Sequence, residues 1–249
     1  MNNKESIQKL LNKTIEDEEF IINAIANSSS TDTLPLPENA LESAESLKIK
    51  KTLEIKEESK NFSKSLDIGL GSIIQALNDQ DKSDEADDII DWFEEHLDRM
   101  ANITPEEIEK ESFGKIMNFP LSYLFLMHQA ITHLIDLEKY EEAQGALTFC
   151  LLLNATIPEI WFTNGVVLQK MNKHEEAIYA FGIADALNTK EDPYIYAHMA
   201  RSLMTFKLWQ EAEEFLVKAV NLCQENDAEL LVYSQNLIKF CEAPKQRME

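Results

Sequence analysis

Glycine, proline and cysteine are all scarce in these 249 residues, at six, seven and three. So few helix breakers suit a chain dominated by helices, and no stretch alternates apolar and polar residues as half-buried strands do. Cys150, Cys223 and Cys241 are odd in number, far apart and never arranged as CxxC, which excludes a disulfide framework and a thiolate zinc site. They read as buried free thiols. Basic residues are also few: 23 Lys and Arg face 45 Asp and Glu, a net charge of −22. That field repels phosphate backbones and anionic lipid, so neither nucleic acid nor a membrane surface is an expected partner. No run approaches the roughly 20 apolar residues of a membrane span. The first twenty residues have no unbroken apolar core and no small-residue cleavage site, so a cytoplasmic location is expected.

Chemistry-bearing motifs are missing as well. GxSxG, P-loop and dinucleotide fingerprints do not occur. His128 and His133 are five residues apart and so point to different faces of one helix, with no Cys or acid at i, i+4 to complete a ligand set. The expectation is a non-enzyme with no catalytic residue, metal or cofactor.

What is present is helical patterning. Residues 4–26 carry Ile7, Leu10, Leu11, Ile15, Ile22 and Ala26 at helical spacing, residues 28–40 (SSSTDTLPLPENA) form a linker, and residues 41–64 are Lys/Glu-rich with a thin apolar face. Apolar density rises from Phe62 to Leu77. Ser83 is placed to cap a helix running to about Met100, with Ile89, Phe93, Leu97 and Met100 in one stripe and the acids of 79–98 opposite. Thr104, Pro105 and Glu107 form a second start signal, for a helix of about 105–117.

The second half repeats itself. Tyr140-Glu-Glu-Ala143, His174-Glu-Glu-Ala177 and Trp209-Gln-Glu-Ala212 recur at intervals of 34 and 35 residues. Twelve positions before these alanines stand Ile131, Gly165 and Ala200, followed by Leu134, Leu168 and Leu203. Beyond the alanines come Leu147, Phe181 and Leu216, then Cys150, Ala184 and Ala219. Small and bulky residues therefore alternate on one helical face, the pattern of hairpins that stack because none can bury its own stripe. This is the tetratricopeptide pattern. The expected fold is all-α: a tetratricopeptide-repeat superhelix with repeats at about 124–157, 158–192 and 193–226 and a capping helix at 227–241. Leu230, Tyr233, Leu237 and Phe240 are its packing residues. The repeat domain spans 104–243, and 1–103 form an acidic, helical, partly disordered extension.

In such arrays the first helices line a concave groove. The register places Phe125, His128, Thr132 and Ile135 there from the first repeat, Phe162, Val166 and Gln169 from the second, and Tyr194, Ala197, Arg201 and Met204 from the third. An apolar, aromatic lining with few charges suits an extended peptide carrying Leu- or Pro-like side chains. Heat-shock co-chaperones of this fold hold a C-terminal carboxylate with Lys, Asn and Arg. Here those places carry His128, Thr132, Thr163, Tyr194 and His198, so that clamp is absent.

Residues 121–241 resemble the class II chaperones of bacterial type III secretion, the SycD/LcrH-type family, most of all in WFTNGVVLQKMNKHEEAIYAF (161–181), DPYIYAHMARSL (192–203) and WQEAE (209–213). The resemblance implies a cytoplasmic chaperone that shields hydrophobic translocator proteins, binds a Pro-x-Leu-x-x-Pro-like segment in its groove, needs no cofactor and homodimerises through N-terminal helices. The long N-terminal extension departs from the family and leaves that dimer interface open. Leu34-Pro-Leu-Pro37 has the composition of a groove ligand without the family spacing. A tetratricopeptide scaffold that assembles other proteins is the alternative reading.

Overall fold

The structure is a computed structural model that describes residues 68–100, 102–103 and 113–245. The expected helices at 4–26 and 41–64, the 28–40 linker, Leu34–Pro37 and the Thr104 cap lie outside those residues. Among the described residues there is no strand. They fall into two compact units that meet in sequence between Thr156 and Ile157.

The first unit holds α1 (68–78), α2 (Ser83–Glu95), α3 (Leu97–Met100), α4 (Phe113–Ile116), α5 (Leu121–Asp136) and α6 (Tyr140–Leu153). Its core is Ile73, Leu77, Ile89, Phe93, Leu124, Met127, Ile131, Leu147 and Phe149, all essentially inaccessible to solvent. Burying each such side chain contributes about 2 kcal/mol. α1 crosses α6 with Gly69 against the backbone of Gly145, an approach that a Cβ at residue 69 would block. An aromatic cluster closes the unit: Phe93 packs on Phe119 and Phe149 at 5.5 and 5.8 Å, and Trp92 meets Phe119 edge-on at 4.7 Å. Ser83 does not cap α2. Lys82 occupies the cap position without a side-chain bond, because Asp81 takes a left-handed turn (φ 58°) that closes α1 and leads directly into α2. The expected helix to Met100 is interrupted at His96, whose ring stacks on Trp92 at 4.1 Å while its Nδ1–H donates to the Trp92 carbonyl.

The second unit holds α7 (Pro158–Lys170), α8 (His174–Leu187), α9 (Pro193–Thr205), α10 (Trp209–Leu222), a 3-10 turn (Glu225–Asp227) and α11 (Ala228–Lys245). Pro158 and Pro193 sit in the first turns of α7 and α9, where a missing N–H costs nothing. Asp192 caps α9 by accepting the Tyr194 N–H at 2.8 Å. The spine read from the repeats is buried throughout: Ala143, Ala177 and Ala212, Leu147, Phe181 and Leu216, and Cys150, Ala184 and Ala219 are all 0% exposed. Gly165 admits the Phe181 ring, and a Cβ there would stand 2.5 Å from its Cε1.

Each hairpin turns in the same way. Glu138, Asn172 and Lys207 have φ of 58, 60 and 61°, and the next residue donates its N–H back to Leu134, Leu168 and Leu203 at 2.9, 2.8 and 3.2 Å. This is the left-handed cap that glycine usually supplies, built here without one. Asp81 and Asn118 close α1 and α4 in the same manner.

α11 corrects the expected capping face. Leu230 and Leu237 turn inward, but Tyr233 and Phe240 are 41% and 58% exposed, and Ser234 and Cys241 are buried in their place. At 100° per residue, 230, 234, 237 and 241 share one face while 233 and 240 lie about a quarter-turn away. Cys241 joins Ala200, Ala212 and Leu216 in the core, flanked by Leu203, Met204 and Trp209. Cys150 and Cys241 are buried as expected, whereas Cys223 is only half-buried at the end of α10.

Candidate peptide-binding site

The first helices of the hairpins are α5, α7 and α9, and the residues expected to line a groove lie on them with unequal exposure. On α5, Phe125 is 54% exposed, Thr132 is exposed, and His128 and Ile135 are half-buried. Thr132 Oγ1 donates to the His128 carbonyl at 3.1 Å, so its hydroxyl proton is spent on its own helix. Leu121, one turn before Phe125, is also 54% exposed. Leu121 precedes the repeat register and so falls outside the expected lining, although its i, i+4 spacing to Phe125 puts both on one face.

In the second unit, α7 and α9 lie side by side and are joined by polar contacts. Phe162 and Val166 are half-buried, Tyr194 and Arg201 are exposed, and Met204 is half-buried against the Ala200–Leu216 cluster. Two expected lining residues prove to be interior. Ala197 is 1% exposed, since position 197 faces the helices behind α9, and Gln169 is 7% exposed because its amide bridges the two helices. Gln169 Nε2 donates to the His198 carbonyl and to Ser202 Oγ, both at 2.7 Å, and its Oε1 stands 2.7 Å from His198 Nδ1.

That network centres on His198, which from the sequence was only one of the residues standing where a carboxylate clamp would be. The amide orientation is fixed, because the His198 carbonyl can only accept and must therefore face Nε2 of Gln169. Oε1 then faces the ring and can only accept, so the proton of the neutral imidazole sits on Nδ1. The ring packs against Phe181 at 5.3 Å and meets Phe162 edge-on at 5.4 Å. Burial, followed by the charges of Arg201 and Lys170, pushes its pKa down to about 4, so it is neutral near pH 7.

Behind the same hairpin Tyr196 is buried with its hydroxyl donating to Asp185 Oδ1 at 2.7 Å, and Lys218 Nζ lies 4.0 Å over its ring while pairing with Glu191 at 2.7 Å. These contacts hold α9 against its neighbours and leave Tyr194 on the outer surface. Among the described residues no group of three His, Cys, Asp or Glu side chains could hold a metal ion, and no helix is long and apolar enough to cross a membrane.

Helical hairpins with a buried small-residue spine and a partly open apolar face on their first helices define an all-α tetratricopeptide-repeat protein. No protein-family model matches the chain, and no curated protein matches it. Solved structures do. A type III secretion complex from Aeromonas hydrophila matches with a TM-score of 0.52 at 17% identity, over 56% of this chain and 93% of that one. The Yersinia enterocolitica type III secretion chaperone SycD in complex with a peptide of the translocator YopD matches at 0.47 and 20% identity, over 50% and 95%. A structure of the type III secretion translocator chaperone SycD of the same organism matches at 0.48 and 18%, over 52% and 97%. These matches are type III secretion proteins, the group that residues 121–241 resemble, and at such identities the likeness is one of fold.

Proposed function

We propose that this protein is a type III secretion chaperone that holds apolar segments of hydrophobic translocator proteins against the first helices of its hairpins, in the cytoplasm and without a cofactor. The observation that carries the reading is that each unit, taken by itself, leaves apolar side chains open on the first helix of a hairpin. Leu121 and Phe125, four residues apart on α5, are both 54% open in the first unit; in the second, Tyr194 is 41% open on α9 and Phe162 and Val166 are half-buried on α7, where a merely structural face would carry charge. Rigid rings offer contact area at a small entropy cost, and the tetratricopeptide frame holds them without a ligand. The SycD/LcrH-like stretches within residues 161–213 support the same reading.

The test is co-expression with a candidate translocator, followed by purification of the pair with Phe162→Ala and Tyr194→Ala as variants. Each variant is expected to weaken binding by about ten-fold or more while the helical signal is kept, as loss of an aromatic anchor at an interface costs over 1 kcal/mol. Full retention by both would place the guest elsewhere. Binding of a folded partner but of no apolar segment would favour the scaffold reading.

A further inference from the structure

His198 is locked in one tautomer. Its Nδ1–H is committed to Gln169 Oε1, and Gln169 is itself held by the His198 carbonyl and Ser202. The other ring nitrogen is a bare acceptor. Nε2 has no hydrogen-bond partner among the described residues. His198 as a whole is only half-buried, and Nε2 is not fully enclosed. Phe162 flanks the ring, and Arg201 and Lys170 are near enough to disfavour a proton on it.

An extended guest brings one main-chain N–H per non-proline residue, and each one taken from water needs an acceptor. The apolar side chains of this face supply none. The Thr163 hydroxyl donates to the Glu159 carbonyl at 2.8 Å and can still accept, but through lone pairs aimed by that bond along its own helix, whereas the Nε2 lone pair is aimed by a ring held through its packing and Gln169.

We propose that His198 Nε2 accepts a main-chain N–H of the guest peptide and thereby fixes the register at which the guest's apolar side chains meet Phe162 and its neighbours. This rests on the peptide-binding reading above and adds the polar contact that it lacks. Gln169 acts as a positioning residue, holding the proton on the far side of the ring.

The probe is a fluorescein-labelled synthetic peptide with a Pro-x-Leu-x-x-Pro segment, together with a set of the same peptide N-methylated at one main-chain nitrogen at a time. Binding is read by anisotropy to the full-length wild type and to His198→Phe, which keeps an aromatic ring in place. One methylated position is expected to bind wild type about ten-fold more weakly than the parent peptide, and to show no such penalty with His198→Phe. Equal penalties in both proteins at every position would overturn the assignment. Failure of the parent peptide to bind wild type would overturn the groove reading and this assignment with it. A second measurement needs no variant: the 15N resonance of His198 Nε2 should move upfield when the parent peptide is added, and a resonance that stays in place while the peptide binds would also refute it.

Discussion

Replacing Gly165 by Ala sets two effects of opposite sign against each other. In a helix interior Ala is favoured over Gly by about 1 kcal/mol. Against that, the new Cβ would lie 2.5, 2.7 and 2.8 Å from Cε1, Cδ1 and Cζ of Phe181. A flexible side chain could swing away, but this ring is 0% exposed and is hemmed in by Phe162 at 5.7 Å and His198 at 5.3 Å. Overpacking of that kind costs about 1–3 kcal/mol, so a net destabilisation of about 1 kcal/mol is expected. Urea unfolding of the full chain, followed by far-UV circular dichroism, should show the transition of the second unit at a lower midpoint. In a Phe181→Leu background the same substitution should be neutral or stabilising, since the clash is gone and the propensity gain remains. A higher midpoint for Gly165→Ala in the wild-type background would refute the reasoning, because it would mean that the ring yields freely.

Three further outcomes are expected. Burial pushes the His198 pKa down from the ordinary 6.5 to about 4 in the folded protein, so the unfolded chain binds its proton more readily. Its contribution to stability is therefore complete above pH 6.5 and is lost as pH falls toward 4, by about 3 kcal/mol if the whole shift is realised. Urea midpoints measured across that window should fall more steeply for wild type than for His198→Gln, and parallel curves would contradict the buried neutral ring. Lys207→Gly should stabilise the protein by about 0.5 kcal/mol, since relief of a left-handed backbone exceeds the entropy that glycine adds to the unfolded chain. Asn172→Gly should gain less because Asn tolerates that conformation, and thermal melts showing a loss for both would argue against strain at these turns.

The repeat spine was legible because it depends on local periodicity. Ala143, Ala177 and Ala212 recur at fixed spacing, and any helix that carries them must bury them. The turns were not, because the signal sought there is glycine, and Glu138, Asn172 and Lys207 share a backbone shape without sharing a side chain. Ser83 misled for a related reason: a good capping residue is redundant where the preceding left-handed turn already sets the helix start. The groove residues were placed by register alone, which gives the helix face but not the depth. Gln169 is interior because α7 and α9 approach closely enough to bond through an amide, and Ala197 because it shares a helix face with Ala200, which packs against α10 and α11. His198 needed a partner 29 residues away to acquire a defined tautomer, and no local pattern carries that information.

The left-handed turns have a consequence for how this surface can change. All five residues concerned are exposed, and they include acidic Asp81 and Glu138, neutral Asn118 and Asn172, and basic Lys207. One backbone shape thus accepts every sign of charge, which means that the shape does not depend on the charge it displays. The hairpin ends are places where the long-range field of a strongly acidic protein can be rewritten residue by residue while the packing beneath stays as it is. Encounter with a guest and stability of the frame can therefore drift independently.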